Sequence, residues 1–160
     1  MLKTTRKIIL CTAVVLTSAT ACVPDSNDYS EFVNMPESRW LYSEPVEFTP
    51  EPADTNTTGQ LTVAIRHTRG YAYRNLWLEV SHTDANGQNI IDTLNMELAD
   101  IYGTWHGTGL GTDFQMTDTL PRTISLRKGK PVRVRHIMRT DTLAEIEQVG
   151  ILFKADRQDK

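Results

Sequence analysis

Residues 75–98 read NLWLEVSHTDANGQNIIDTLNMEL. In the first half Leu76, Leu78 and Val80 fall on alternate positions, and in the second half Ile90, Leu94, Met96 and Leu98 do. A period of two puts such side chains on one face of an extended chain. Between the halves stands Asp84-Ala85-Asn86-Gly87-Gln88. Asn-Gly is the strongest short-range hairpin signal, because tight hairpin turns need positive φ and these two residues tolerate it. The stretch predicts two antiparallel strands with one apolar face. Trp77 falls on the other face, opposite Leu76 and Leu78.

The same alternation continues on both sides. In LTVAIRH (61–67) Leu61, Val63 and Ile65 share a face. TISLRKGKPVRVRHIM (123–138) reads as a second hairpin with its turn at Lys128-Gly129, and Val132, Val134, His136 and Met138 align. QVGILFKAD (148–156) closes the pattern with Val149, Ile151 and Phe153. TLAEIEQV (142–149) is expected to form one helical turn, and no segment sustains a helical period. Seven to eight short strands with polar turns predict an all-β fold, an antiparallel β-sandwich of jelly-roll or Ig-like type.

The N-terminus, MLKTTRKIILCTAVVLTSATAC, has the layout of a secretory signal. Lys3, Arg6 and Lys7 supply the positive region, Ile8 to Leu16 the apolar one, and small or polar residues follow to Ala21. The apolar run is shorter than the ~20 residues a membrane span needs. Small residues directly before Cys22 resemble a bacterial lipobox, with Ala19 where Leu is usual. Cys22 is therefore the expected lipid attachment site, cut free of residues 1–21 and acylated. Cys11 lies inside the apolar run and leaves with the signal. The mature chain then keeps one cysteine, which acylation consumes, so an internal disulfide, cysteine catalysis and a cysteine zinc site are excluded.

The signal takes three of the 17 basic residues and none of the 20 acidic ones, so the mature chain carries 14 − 20 = −6. An acidic domain disfavours nucleic acid as a partner. Residues 23–60 hold Pro24, Pro36, Pro45, Pro50 and Pro52 among many polar residues, a linker-like composition. The expected organisation is a signal over 1–21, a tether over 22–37, and one β-sandwich domain over 38–160. Within it SRWLYSEPVEF (38–48) docks as an early strand.

Chemistry-bearing motifs are sparse. Gly107-Thr-Gly109-Leu-Gly111 lacks the Lys-Ser/Thr and the strand–loop–helix setting of a phosphate loop. No two of His67, His82, His106 and His136 lie within five residues, so no metal spacing is present. His136, in line with Val132 and Val134, reads as a core histidine. No G-x-S-x-G occurs. Asp92, Glu97 and Asp100 cluster only as an acidic strand end does. Tyr71, Tyr73 and Trp77 lie close enough in sequence to stack on sugar rings. Tyr102, Trp105 and His106 stand among glycines as possible partner contacts, with Trp105 the one expected to pack into the core.

The segment from His67 to Gly111 resembles the core of the gliding-motility lipoprotein GldH family of Bacteroidota. Tyr71 and Tyr73 precede Asn75-Leu76-Trp77-Leu78; then come Asp92-Thr93-Leu94, Leu98-Ala99-Asp100, Gly103, Trp105, Gly107, Gly109 and Gly111. FVNMPESRW (32–40) and RHIMRTDTLAEIEQVGILF (135–153) are similar to the family's flanking regions. The resemblance implies a lipoprotein associated with the gliding machinery, which is linked to type IX secretion, and brings no catalytic residue and no cofactor. Two function classes follow. The first is a non-enzymatic component of that machinery, held in the cell envelope by its lipid. The outer membrane is expected before the inner, and other envelope lipoproteins or motility and secretion proteins are the expected partners. The second is a carbohydrate-binding β-sandwich module.

Overall fold

The computed structural model describes residues 27–52 and 54–156. The expected signal and Cys22 lie outside them. Twelve strands form: β1 (Tyr29–Asn34), β2 (Arg39–Leu41), β3 (Val46–Phe48), β4 (Asn56–Thr68), β5 (Asn75–Thr83), β6 (Asn89–Glu97), β7 (Thr108–Leu110), β8 (Asp113–Thr119), β9 (Ile124–Arg127), β10 (Val132–His136), β11 (Thr142–Ala144) and β12 (Ile146–Ala155). No α-helix occurs among the described residues.

Eight of these strands build two facing antiparallel sheets, in the orders β1-β12-β4-β8 and β3-β10-β5-β6. Taken one to eight in chain order, the sheets read 1-8-3-6 and 2-7-4-5. That is the jelly-roll arrangement, which settles the expected sandwich in favour of a jelly roll. The four short strands are additions. β7 extends the edge at β8, β9 pairs the start of β4, and β2 pairs β11 as a separate ribbon. The thirteen residues of β4 are long enough to pair β9 over Asn56–Gly59 and β8 over Thr62–Thr68 on one side.

The alternating residues meet in one core. Leu61, Val63 and Ile65 from the first sheet face Leu76, Leu78, Val80, Val132 and Val134 from the second, with Phe48, Met96, Ile151 and Trp40 filling between. His136 is fully buried among them, as its register with Val132 and Val134 requires. The Asn86-Gly87 hairpin forms between β5 and β6.

Three expectations are corrected. The tether does not run to residue 37: Tyr29–Asn34 pairs Phe153–Gln148 as an edge strand. Tyr29, Phe32 and Val33 do not alternate cleanly, which hides the strand, and at the edge Tyr29 and Val33 are only half-buried. Lys128-Gly129 does not close a hairpin. β9 joins β4 while β10 joins β3 and β5, so the turn carries the chain from one sheet to the other. Residues 142–149 are strand rather than helix, with Leu143 and Ile146 buried and Glu145 at φ +67 as the corner between β11 and β12.

Candidate functional site

The two ends of the sandwich differ. One end gathers the first described residues, the β5–β6 turn and the β9–β10 crossing. The other gathers the connections 69–74, 98–107 and 137–145. All the aromatic residues singled out in the sequence lie at this second end.

Behind it is an aromatic stack. The buried His67, at the end of β4, meets Trp105 at 4.7 Å, Tyr71 at 5.6 Å and Phe114 at 5.8 Å between ring centres. Tyr71 in turn meets Tyr73 at 5.6 Å. Trp105 is half-buried against the core and bridges Ala99 across the loop. His106 donates its amide to Leu98 O (2.7 Å), and its Nδ1 lies 3.2 Å from Glu97 O. Burial holds the His67 ring below the usual histidine range, against the opposing pull of the Thr68 carbonyl.

The glycines explain how this segment fits. β7 lies so close to β8 that a Cβ on Gly107 would sit 2.2 Å from Gln115 O, and one on Gly109 2.0 Å from Asp113 O. They serve a close backbone approach at a sheet edge. Gly103 serves a turn. Asp100 N donates to Thr104 O (3.0 Å), Gly103 N to Asp100 O (3.1 Å), and Asp100 Oδ1 accepts from the amides of Tyr102 (2.8 Å) and Thr104 (2.9 Å). The Thr104 amide first, with that of Tyr102, holds the Asp100 carboxyl below the usual carboxylate range. The tip of this turn projects Ile101 and Tyr102, 73% and 88% exposed. The β5–β6 turn, Asp84–Gln88, repeats the same hydrogen-bond pattern but carries Ala85 and Asn86 at its tip.

At the same end, on the outer face of the four-stranded sheet, lies an open groove of about 520 Å³ lined by Tyr73, Asn75, Trp77, Ile137, Met138 and Arg139. Trp77 and Tyr73 are 43% and 42% exposed. Ile137 N donates to Trp77 O (2.9 Å), which brings the end of β10 against β5 and closes one wall. Asn75 Nδ2 donates to Asn95 Oδ1 (2.9 Å) on β6. Arg74 O accepts from Leu98 N and Ala99 N, so the groove and the Ile101-Tyr102 turn are joined through one residue.

The structure thus separates the three suspected contacts. Trp105 points inward, Tyr102 outward, and His106 is half-buried between them. Ile101 and the residues that follow β10 into the groove, Ile137, Met138 and Arg139, were not visible as site residues. The repeated Asp-x-x-Gly spacing at 84 and 100 was a signal for the first; nothing local signalled the second.

Catalytic arrangements are thin. His82 Nε2 lies 3.3 Å from Asp92, which also pairs with Arg122 at 2.7 Å, but this group sits at the opposite end of the sandwich from the aromatic residues. Ser125 and Lys128 have Ser-x-x-Lys spacing. Ser125 is on strand β9 and Lys128 in the turn after it, so the helical face that brings such a pair together is missing. Among the described residues no group of three or more His, Cys, Asp or Glu is placed to hold a metal ion, and no helix is long and apolar enough to cross a membrane.

No curated protein matches the sequence. Three solved structures give partial likenesses. The Eiger TNF from S. frugiperda has a TM-score of 0.45 at 10% identity, over 83% of this chain and 96% of that one. Dimeric latent PorU from Porphyromonas gingivalis scores 0.33 at 12% identity, over 86% of this chain and 14% of that one. The infectious bursal disease virus Gt strain structure scores 0.27 at 11% identity, over 94% and 39%. None of these is close enough to argue from. The family described as GldH lipoprotein matches residues 27–152, from the first pinned residues through most of β12, and the chain belongs to that family.

Proposed function

We propose that this protein is a non-enzymatic lipoprotein of the gliding-motility and type IX secretion machinery, held in the envelope by a lipid on Cys22, and that it engages an envelope protein through the Ile101-Tyr102 turn and the adjoining Tyr73–Trp77 groove. Family membership supports the lipoprotein and its tie to gliding. The observation that carries the recognition surface is the apolar tip. The same turn elsewhere in the chain is made with Ala85 and Asn86, so folding does not require Ile101 and Tyr102 to stand in water. Large exposed apolar side chains beside an aromatic groove are the composition of an interface centre, where Tyr and Trp are enriched.

The test is affinity purification of tagged wild type and of the Ile101→Ala/Tyr102→Asn variant from solubilised native membranes. The expected result is a set of envelope proteins retained by wild type and lost by the variant at equal protein level. Identical sets from both would overturn the reading.

A second reading has its own support. Trp77 and Tyr73 lie half-exposed along one groove, with the Asn75 and Asn95 amides and Arg139 at its rim, a layout that can stack and hydrogen-bond sugar rings. Glycan-array binding that disappears in Trp77→Ala, without protein partners in the purification, would favour it.

A further inference from the structure

We propose that the end of the sandwich carrying the N-terminus is set against the bilayer, and that the Ile101-Tyr102 end points away from it. The inference rests on the acylation of Cys22 proposed above.

Asn27 and Asp28 fix the chain to the domain just ahead of β1. Asn27 Nδ2 donates to Asp54 Oδ2 (3.1 Å), and Asp54 N donates back to Asn27 Oδ1 (3.2 Å). One residue on, Asp28 Oδ1 accepts from Ala155 N (2.9 Å), and β1 begins at Tyr29. Cys22 stands five residues before Asn27. Five residues span at most about 18 Å even when fully extended. Strand β4 has thirteen residues, and at the usual rise it runs roughly 40 Å along the sandwich. The tether is less than half that length, so it decides which end stays near the lipid.

The surroundings of Asn27 carry charges of both signs. Lys128 N donates to Thr55 O (2.9 Å), which puts the exposed Lys128 and Lys130 next to the segment that pins the chain. The Asp84–Gln88 turn lies there too, with Gly87 against the Arg127 guanidinium. The acidic groups nearby accept hydrogen bonds from neutral donors, Asp54 from Asn27, Asp28 from Ala155, Asp84 from its own turn and Glu31 from Tyr29, and keep their negative charge. Glu51 flanks Gly129, and Asp156 is exposed. This end is therefore of mixed charge, and the short reach from Cys22 rather than lipid charge carries the orientation.

Lying on a side is less well supported. The outer face of the four-stranded sheet pairs its arginines, Arg133 with Glu47 and Arg135 with Glu79. The outer face of the other sheet is largely Thr and Gln, with Thr62, Thr119, Gln60 and Gln115 across it and Phe32 as its exposed large apolar side chain. The first also carries the half-exposed Trp77 and Ile91, but neither offers a broad basic plane.

The experiment uses the full acylated chain, purified from membranes and reconstituted into phosphatidylethanolamine–phosphatidylglycerol vesicles containing a lipid with a nitroxide on its head group. Single cysteines are introduced as Lys128→Cys or Tyr102→Cys and labelled with a fluorophore. The expected result is quenching several-fold stronger at position 128 than at 102, reduced at 128 when a long Gly/Ser segment is inserted between Cys22 and Asn27. Equal quenching, or stronger quenching at 102, in protein that floats with the vesicles overturns the orientation and leaves the anchor standing. Failure of the acylated chain to float overturns both.

Discussion

Two turns at opposite ends of the sandwich are built alike and used differently. In Asp84–Gln88, as in Asp100–Thr104, the amide of the first residue donates to the carbonyl of the fifth (2.9 Å), and the glycine amide donates to the carbonyl of the aspartate (3.0 Å). The aspartate Oδ1 takes the third and fifth amides at 2.9 and 2.8 Å. The fourth residue is glycine at φ +84 in one and +83 in the other. Aspartate and glycine therefore make the bonds the two turns share; of the residues between them only Asn86 adds a side-chain bond, its Nδ2 donating to Asp84 Oδ2 (3.4 Å). One copy places Ala85 and Asn86 there, the other Ile101 and Tyr102. The difference separates what folding needs from what it does not.

The supports of the two turns differ as well, and removing a support should give the largest effect. The Ile101-Tyr102 turn stands on Trp105, which is packed on His67, Tyr71 and Phe114. Trp105→Ala should lower stability by about 2–3 kcal/mol, short of the ~3–5 kcal/mol of a fully buried aromatic because the ring is half-exposed. The measurement is the denaturant midpoint beside wild type. An unchanged midpoint would show that the stack carries no load and that Trp105 belongs with Tyr102 as a contact.

Next in size is the glycine of each turn. An alanine forced into positive φ costs about 1–2 kcal/mol. A Cβ at Gly103 meets nothing within 4 Å, and one at Gly87 meets only the end of the Arg127 side chain at 3.1 Å. Gly87→Ala and Gly103→Ala should therefore cost nearly the same in thermal melts. If one costs several times the other, the two turns are not equivalent and the comparison fails.

The hairpin at Asn86-Gly87, the core faces of β4, β5 and β10, and the outward placement of Trp77 were legible in the sequence, because local alternation and turn chemistry dictate them. What was hidden depends on distant partners. Tyr29–Asn34 reads as polar linker, since an edge strand needs an apolar stripe on one face only. Lys128-Gly129 has hairpin chemistry, but whether its two strands pair with each other or with separate sheets is decided by β4 and β5. Glu145 at positive φ breaks what reads as a helical turn. The groove was half legible: Tyr73 and Trp77 stood out, while Ile137, Met138 and Arg139 reach them from some sixty residues away in sequence. The orientations of Tyr102 and Trp105 could not be separated by type, both being large aromatics among glycines.

Acid should act on the Ile101-Tyr102 end through buried histidines. Burial holds His67 below the ordinary 6.5, with the Thr68 carbonyl opposing. It holds His136 below 6.5 as well, where the Trp40 backbone opposes and the Arg135 charge adds to the depression. In both cases the unfolded chain binds a proton more readily than the native one. Their contribution is complete above 6.5 and is lost as pH falls from there through the lower native values. Each unit of depression corresponds to about 1.4 kcal/mol. The melting temperature should fall between about pH 7.5 and 5, and His67→Gln should flatten that fall. A wild-type profile that is level over this range would mean that water or a rearranged stack accommodates the charged rings.

The smallest expected effect on stability is the most telling for function. Replacing Ile101 and Tyr102 by the Ala and Asn of the other turn keeps Asp100, Gly103 and every backbone hydrogen bond of the loop. Both side chains are largely in water, and surface changes away from packed features stay within about 0.5 kcal/mol. The melting curve should therefore overlay that of wild type. Partner retention should not: truncating a hot spot costs at least about 2 kcal/mol of binding, a loss of roughly thirty-fold in affinity. The reciprocal change, Ala85→Ile/Asn86→Tyr, should also fold normally and should not add binding, because that turn lies at the opposite end from the Tyr73–Trp77 groove. A fall in melting temperature in the first variant would show that Ile101 and Tyr102 pack in a way their exposure does not reveal. Full binding by the first variant would overturn the reading of this turn as the recognition surface.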